Sequence, residues 1–428
     1  MLIQFRVENY RSLRDEQTLS MVADATLGGK TDERLVRPKG IDEALLPAVA
    51  IYGANASGKS NVIGALGFMQ SAVVRSQRFW KPDGGTRHEP FALSRKIGDP
   101  SRCEVDILIE GTRYRYGFVL SAERVEEEWL FAWPRGRRQT WFERHSDAFS
   151  FGKYLEGENH AIRGLTRHNS LFLSAAAQNN HATLSPIFRF FSASQFASRR
   201  RAAFRHVVQS RNAWLSMAAA SKNRTEDSER QAVLRLLQAA DTGILDMRVE
   251  EREEYERDPE GIVGGTIGVR RDLFFRHRST DESHAWLPLH AESDGTLTLL
   301  DMSSSLIRTL RNGGLLCVDE LEASLHPAVA LELMRMFNDP KDNPHGAQII
   351  FTTHDTNLLG STLGEPALRR DQVWMTEKDE GGGTSLYPLT DFHPRKEENL
   401  QRGYLQGRYG AIPFLESFVS HGRHGGDP

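Results

Sequence analysis

At 428 residues, with 39% hydrophobic and 26% charged side chains, the chain exceeds one average domain and is long enough to bury a large core. A net charge of -3 supplies no general pull toward nucleic acid, and no apolar run reaches the roughly 18 residues that would span a bilayer. Cys103 and Cys317 are the only cysteines, which excludes a disulfide framework and a cysteine metal cluster and fits a reducing cytoplasm.

The opening MLIQFRVENYRSL alternates Ile3, Phe5 and Val7 with polar neighbours and predicts a half-exposed strand, not a signal peptide. Asp24 to Gly40 is polar and reads as loop, and Leu46 to Tyr52 reads as a buried strand. From Asn61 to Val74, residues Val62, Leu66, Met69 and Val73 recur at helical spacing. Between Phe91 and Phe142 the pattern changes to short alternating segments, CEVDILIEG, TRYRYGFVL and VEEEWLFAW, as in an antiparallel sheet. Leu184 to Ala240 is helix-rich, and the acidic run from Glu250 to Gly261 reads as a solvated linker or hairpin. The last third returns to α/β alternation: LLCVDE, a helix over Pro327 to Phe337, then QIIFTTHD. The expected organisation is a head begun by residues 1–183, a helical insertion with acidic linker over 184–265, and the remainder of the head in 266–428.

Gly53-Ala54-Asn55-Ala56-Ser57-Gly58-Lys59-Ser60 is a complete G-x-x-x-x-G-K-S, preceded by a strand and followed at Asn61 by a helix. That order lets loop N–H groups and the helix N-terminus wrap a phosphate chain, with Gly53 and Gly58 permitting close approach. Lys59 supplies a cation to the β- and γ-phosphates, and the Ser60 hydroxyl is placed for Mg²⁺. A glycine-rich turn without ligand is the plainer alternative, and the strand and helix on either side weigh against it.

Leu315-Leu316-Cys317-Val318-Asp319-Glu320 ends a buried strand on two carboxylates at a sheet edge. On its own this is no more than a strand end before a solvated turn. Beside a phosphate loop, Asp319 is expected in the Mg²⁺ shell and Glu320 orients the attacking water. Gln348 to Asp355 ends a second strand at the same edge, where His354 reaches toward a γ-phosphate. Ser293-Asp294-Gly295-Thr296 then opens a helix carrying Leu297, Leu300, Leu306 and Leu310. This is either an ordinary N-cap or a second anion corner, too many for one site.

In this order the N-terminal Asn9-Tyr10-Arg11-Ser12, the phosphate loop, Ser293-Asp294-Gly295, LLCVDE, Ser324-Leu325-His326-Pro327 and His354 resemble ABC-type ATPases of the RecF and SMC group. More narrowly, ESDGTLTLLD, DELEASLHP, TTHD, RRDQVWMTEKD and GYLQGRYGAIP are similar to the AAA15 and AAA21 types of bacterial anti-phage systems. The resemblance implies an α/β fold, an ABC-type phosphate-loop head with a mixed sheet core, an N-terminal antiparallel lobe and a helical insertion. It implies ATP hydrolysis with Mg²⁺ in a homodimer or higher oligomer, Ser293, Asp294 and Gly295 of one copy closing over nucleotide on the other. It also places Ser324 to His326 between the two sites and Arg11 beside the nucleotide in cis. Gln178, in SAAAQNN, stands for the γ-phosphate-sensing glutamine at the metal. The Ser-Asp-Gly signature departs from the LSGGQ of transporters.

Two kinds of work fit such a chain: an ATP switch that gates a separate effector, a nuclease or toxin, or direct action on DNA as a repair ATPase or OLD-type nuclease. Only 74 residues follow His354, without a D-x-D pair, so a toprim nuclease domain is not expected. No N-K-x-D or T-K-x-D tetrapeptide reads guanine, which favours ATP. A membrane partner is not expected. Direct DNA contact would fall to Arg199, Arg200, Arg201, Arg205 and Arg211, which alternatively form a solvated basic helix face. The Gly- and Tyr-rich segment Gly403 to Ala411 is expected to form a close-packed turn.

Overall fold

The computed structural model describes residues 1–28, 32–93, 98–198, 224–240, 242–257, 263–279, 285–322, 325–361, 364–395 and 398–412. Strand β1 (Leu2–Glu8) buries Leu2, Phe5 and Val7 and pairs with β2 (Gln17–Ser20) on one side. Its other neighbour is β4 (Ser101–Ile109), followed in the sheet by β5 (Thr112–Leu120), β6 (Val125–Trp133), β7 (Gln139–His145) and β8 (Ala148–Phe151). Every pairing in this seven-stranded sheet is antiparallel, as the alternating segments predict. The β4–β5 turn is two residues, Glu110 and Gly111, at φ 49° and 76°, the left-handed geometry that matches the twist of a tight hairpin.

The second sheet has the order β16-β15-β3-β14-β13-β9. Strands β3 (Ala48–Gly53), β14 (Gln348–Thr352), β13 (Leu315–Asp319), β9 (Gln195–Ser198) and β15 (Val373–Lys378) are parallel, and β16 (Thr384–Pro388) adds an antiparallel edge. The runs AVAIYG and QIIFT are buried throughout, as strands covered on both faces must be. Alternation along β3 divides the core. Val49 and Ile51 face helix α1 (Lys59–Phe79) and, beyond it, the antiparallel sheet. Ala48, Ala50 and Tyr52 face the opposite layer, which includes α6 (Asp294–Asn312), α7 (Pro327–Asn338) and α8 (Leu400–Leu405). Among the described residues no helix is long and apolar enough to cross a membrane.

Between the two halves of the head come α2 (Asn159–Leu165), α3 (Phe172–Gln178) and α4 (Ser185–Ala193), then, after β9, α5 (Arg224–Ala239). The acidic run enters β10 (Ile244–Arg257), which forms a long antiparallel hairpin with β11 (Val263–His277); β12 (Trp286–Pro288) extends it. Two features differ from the sequence reading. Gln195–Ser198, assigned to a helical insertion, is an edge strand of the central sheet, and its four residues are too few to show a period. The boundary at residue 265 falls inside β11. The basic group Arg199 to Arg211 lies outside the described residues.

Candidate active site

The phosphate loop joins the C-terminal end of β3 to the first turn of α1, and its conformation is fixed by polar groups from distant parts of the chain. Ser57 Oγ lies 2.6 Å from Thr376 Oγ1, which itself donates to the Tyr52 carbonyl at 3.2 Å. Thr384 Oγ1 is 2.8 Å from the Ser57 carbonyl and 2.7 Å from Ser12 Oγ; Asn61 Nδ2 donates to that same Ser12 oxygen at 2.6 Å. A Cβ at Gly53 would overlap Thr376 and Ser57, and one at Gly58, which sits at φ 108°, would overlap Thr384. The two motif glycines are therefore required by this bracket as well as by close approach of a ligand. From the other face, Tyr404 packs edge-on against Tyr52 at 5.6 Å, and its hydroxyl meets both the Gly53 N–H and the Ala411 carbonyl. The Gly403 to Ala411 turn thus closes beneath the loop.

Lys59 is buried, and its ammonium donates to the carbonyls of Gly53 and Ala54 at 2.8 and 2.9 Å. Burial lowers its pKa to about 8, against the opposing pull of Glu322, Asp319 and Glu320. Those carboxylates stand at the end of β13. Asp319 Oδ1 accepts from Thr352 Oγ1 at 2.8 Å, and Thr352 Oγ1 accepts from the Glu320 N–H at 2.7 Å. Glu320 takes a left-handed φ of 59°, which swings its exposed side chain off the strand direction. His354, two residues beyond β14, is exposed at the same edge. Burial of part of the ring and the Lys59 charge hold its imidazole below the usual value, opposed by Glu322 and Glu320. Three parallel strands thus deliver a cation, a pair of carboxylates and an imidazole to one sheet edge. The loop can cradle an anion, and the Ser60 hydroxyl with Asp319 supplies the hard oxygen donors that suit Mg²⁺.

Arg11 lies one helical turn past Ser60. Its guanidinium pairs with Glu89 at 2.6 Å, rests 5.2 Å from the Tyr10 ring centre and crosses α1 where Gly64 leaves room. The Asn61 side chain braces Ser12. Ser293 caps α6, accepting from the Thr296 N–H at 3.2 Å, with Asp294 and Gly295 in the first turn. Helix α6 packs on β13 and β9, and β13 stands two positions from β3. Ser293 thus stands at the start of a helix that packs two strands away from the strand leading into the phosphate loop. Glu292, just before it, is held by His277 at 2.7 Å.

Gln178 requires correction. It is exposed at the end of α3, whose Ser174 hydroxyl accepts from the Gln77 N–H. Gln77 is about 27 Å along α1 from Lys59, and one further turn of α3 cannot close that gap. Ser324 lies outside the described residues. Ser12, Thr376, Tyr404 and Glu322 lie in segments that the sequence motifs include, but no role at the loop was assigned to them, and Thr384 lies outside those motifs. Thr376 carries a local signal for its role, as a polar residue ending the apolar VWM at the same sheet edge as Asp319.

The sequence matches the family model described as "AAA domain, putative AbiEii toxin, Type IV TA system" over residues 48–360. No curated protein matches it. Among solved structures, the SMC head domain from Thermotoga maritima is similar at 13% identity and a TM-score of 0.37, over 90% of this chain and 98% of that one. An Smc head domain with a coiled coil and joint from Pyrococcus yayanosii gives 11% and 0.42, over 95% and 99%. An Smc head bound to the C-winged helix domain of ScpA gives 12% and 0.43, over 90% and 96%.

Proposed function

The chain belongs to this AAA-domain family, and on that premise we propose that it is a cytoplasmic ATPase of the ABC type whose two sites are each completed by a second copy. The observation that carries the proposal is the convergence of Lys59, Asp319, Glu320 and His354 at one edge of the parallel sheet, electrostatically coupled around the loop. Gly53 to Asn61 would enclose the triphosphate, with Lys59 exchanging its carbonyl partners for β- and γ-oxygens. Ser60 and Asp319 would hold Mg²⁺, which when bound neutralises charge between those oxygens. Glu320 then orients a water for in-line attack, and His354 meets the γ-phosphate. Arg11 flanks the nucleotide in cis.

The shared-site reading is supported by the start of α6 itself, where Ser293, Asp294 and Gly295 form a second helix N-terminus suited to an anion, one more than a single site needs and so available to a partner's nucleotide. In the proposed cycle, ATP joins two copies, hydrolysis releases them, and that alternation gates a separate nuclease or toxin in anti-phage defence. The test is phosphate release from Mg²⁺-ATP by the purified chain across a range of protein concentrations. Specific activity should rise with concentration until dimers saturate, and should fall on chelation of Mg²⁺. Turnover of ATP that is linear in protein from the lowest concentration, with only monomers present, would contradict shared sites.

A further inference from the structure

Four consecutive residues, from the last of β13 onward, are tied to the end of β14. Asp319 and Glu320 are held through the Thr352 hydroxyl, and the Leu321 N–H donates to the Thr352 carbonyl at 3.0 Å. The fourth tie differs in kind: Glu322 Oε1 accepts the His354 backbone N–H at 2.6 Å. β14 ends at Thr352, so the strand ladder no longer orders the chain at His354, and a side chain from the neighbouring loop takes over. The other oxygen, Glu322 Oε2, is buried without a hydrogen-bond partner among the described residues. Leaving half a carboxylate unsatisfied is costly, and an apolar residue would serve packing better. Glu322 also leads the three carboxylates in its pull on the Lys59 ammonium and pulls on the His354 imidazole. It therefore bears on both the cation and the histidine of the site while contacting only the histidine's backbone.

We propose that Glu322 is a positioning residue that acts through His354, locking the backbone from which the imidazole reaches the γ-phosphate; this rests on the ATPase reading above. The charge-assisted hydrogen bond fixes His354 where a free loop would let it swing. Because the tie comes from the residue three places after Asp319, any shift of the β13 end moves His354 with the carboxylates, so the groups stay in register.

Steady-state ATP hydrolysis by E322A, E322D, E322Q, H354A and the E322A/H354A double variant tests this. E322A should lose about ten- to a hundredfold in kcat with KM within about threefold of wild type, since binding is left intact. The double variant should be no slower than H354A alone, because the two residues act as one unit. E322Q keeps an oxygen that accepts the His354 N–H and should recover most of the loss. E322D keeps the charge but withdraws it by one methylene and should remain slow, which also serves if E322A fails to fold. An E322Q as slow as E322A, or a double variant carrying the product of the two single losses, would overturn the role. Wild-type hydrolysis with E322A unimpaired removes this role alone. A wild-type chain that hydrolyses no Mg²⁺-ATP removes the functional reading and this role with it.

Discussion

Replacing Glu320 by Gln is expected to slow ATP hydrolysis by about 10²- to 10³-fold while leaving ATP binding within about threefold of wild type. The carboxylate stands free at the sheet edge, its backbone turned by the left-handed φ of 59° and pinned through the Thr352 hydroxyl, so the amide replaces it without disturbing the loop. What is lost is the charge that polarises water in the transition state; the contacts that hold the triphosphate in the ground state stay. Bound nucleotide then persists, and E320Q with Mg²⁺-ATP should elute as a dimer where wild type returns to monomer. Single-turnover hydrolysis and size-exclusion chromatography read the two effects separately. Hydrolysis by E320Q at the wild-type rate would remove Glu320 from the water-positioning role.

Lys59→Ala acts one step earlier and should weaken ATP binding by about 100-fold, as loss of a buried charge-assisted contact to phosphate does. Its ammonium is satisfied in the free chain by the Gly53 and Ala54 carbonyls, which the variant leaves without that donor. The same residue predicts a pH dependence. With its pKa lowered to about 8, Lys59 is charged below that pH and neutral above it, while triphosphate binds the charged form. ATP affinity of the wild-type chain should therefore be flat from pH 6.5 to 7.5 and weaken above pH 8, by up to about tenfold per pH unit, until the lysine of the complex also titrates. Calorimetric titration at several pH values checks this; an affinity unchanged to pH 9.5 would show that burial does not lower the Lys59 pKa in this way.

The parts of this site that were legible in the sequence are those whose chemistry is local. Gly53 to Ser60 states its own turn, its cation and its helix, and LLCVDE states a buried strand ending in charge. The bracket around the loop was not legible, because Ser12, Thr376 and Thr384 come from three separate segments and meet only through the sheet order. Gln178 failed for the converse reason: its identity suited the role, but α3 docks at the far end of α1. The antiparallel lobe was readable from its alternation, whereas Gln195–Ser198 was hidden between helical patterns and becomes a strand only because β13 offers it an edge. Glu322, inside DELEASLHP, has no local mark that separates it from Asp319 and Glu320. Its distinction, a bond to His354, exists only once β13 and β14 lie side by side.

The shared site is tested most directly by mixing two inactive chains, Lys59→Ala and Ser293→Arg, with differently tagged heterodimers verified by sequential capture. In the heterodimer one site combines both lesions, and the other pairs an intact phosphate loop with an intact start of α6. An equal mixture should therefore recover roughly a quarter of wild-type ATPase activity, half the dimers being mixed and half their sites intact. Heterodimers that form but remain as inactive as either parent would contradict sites built from two copies.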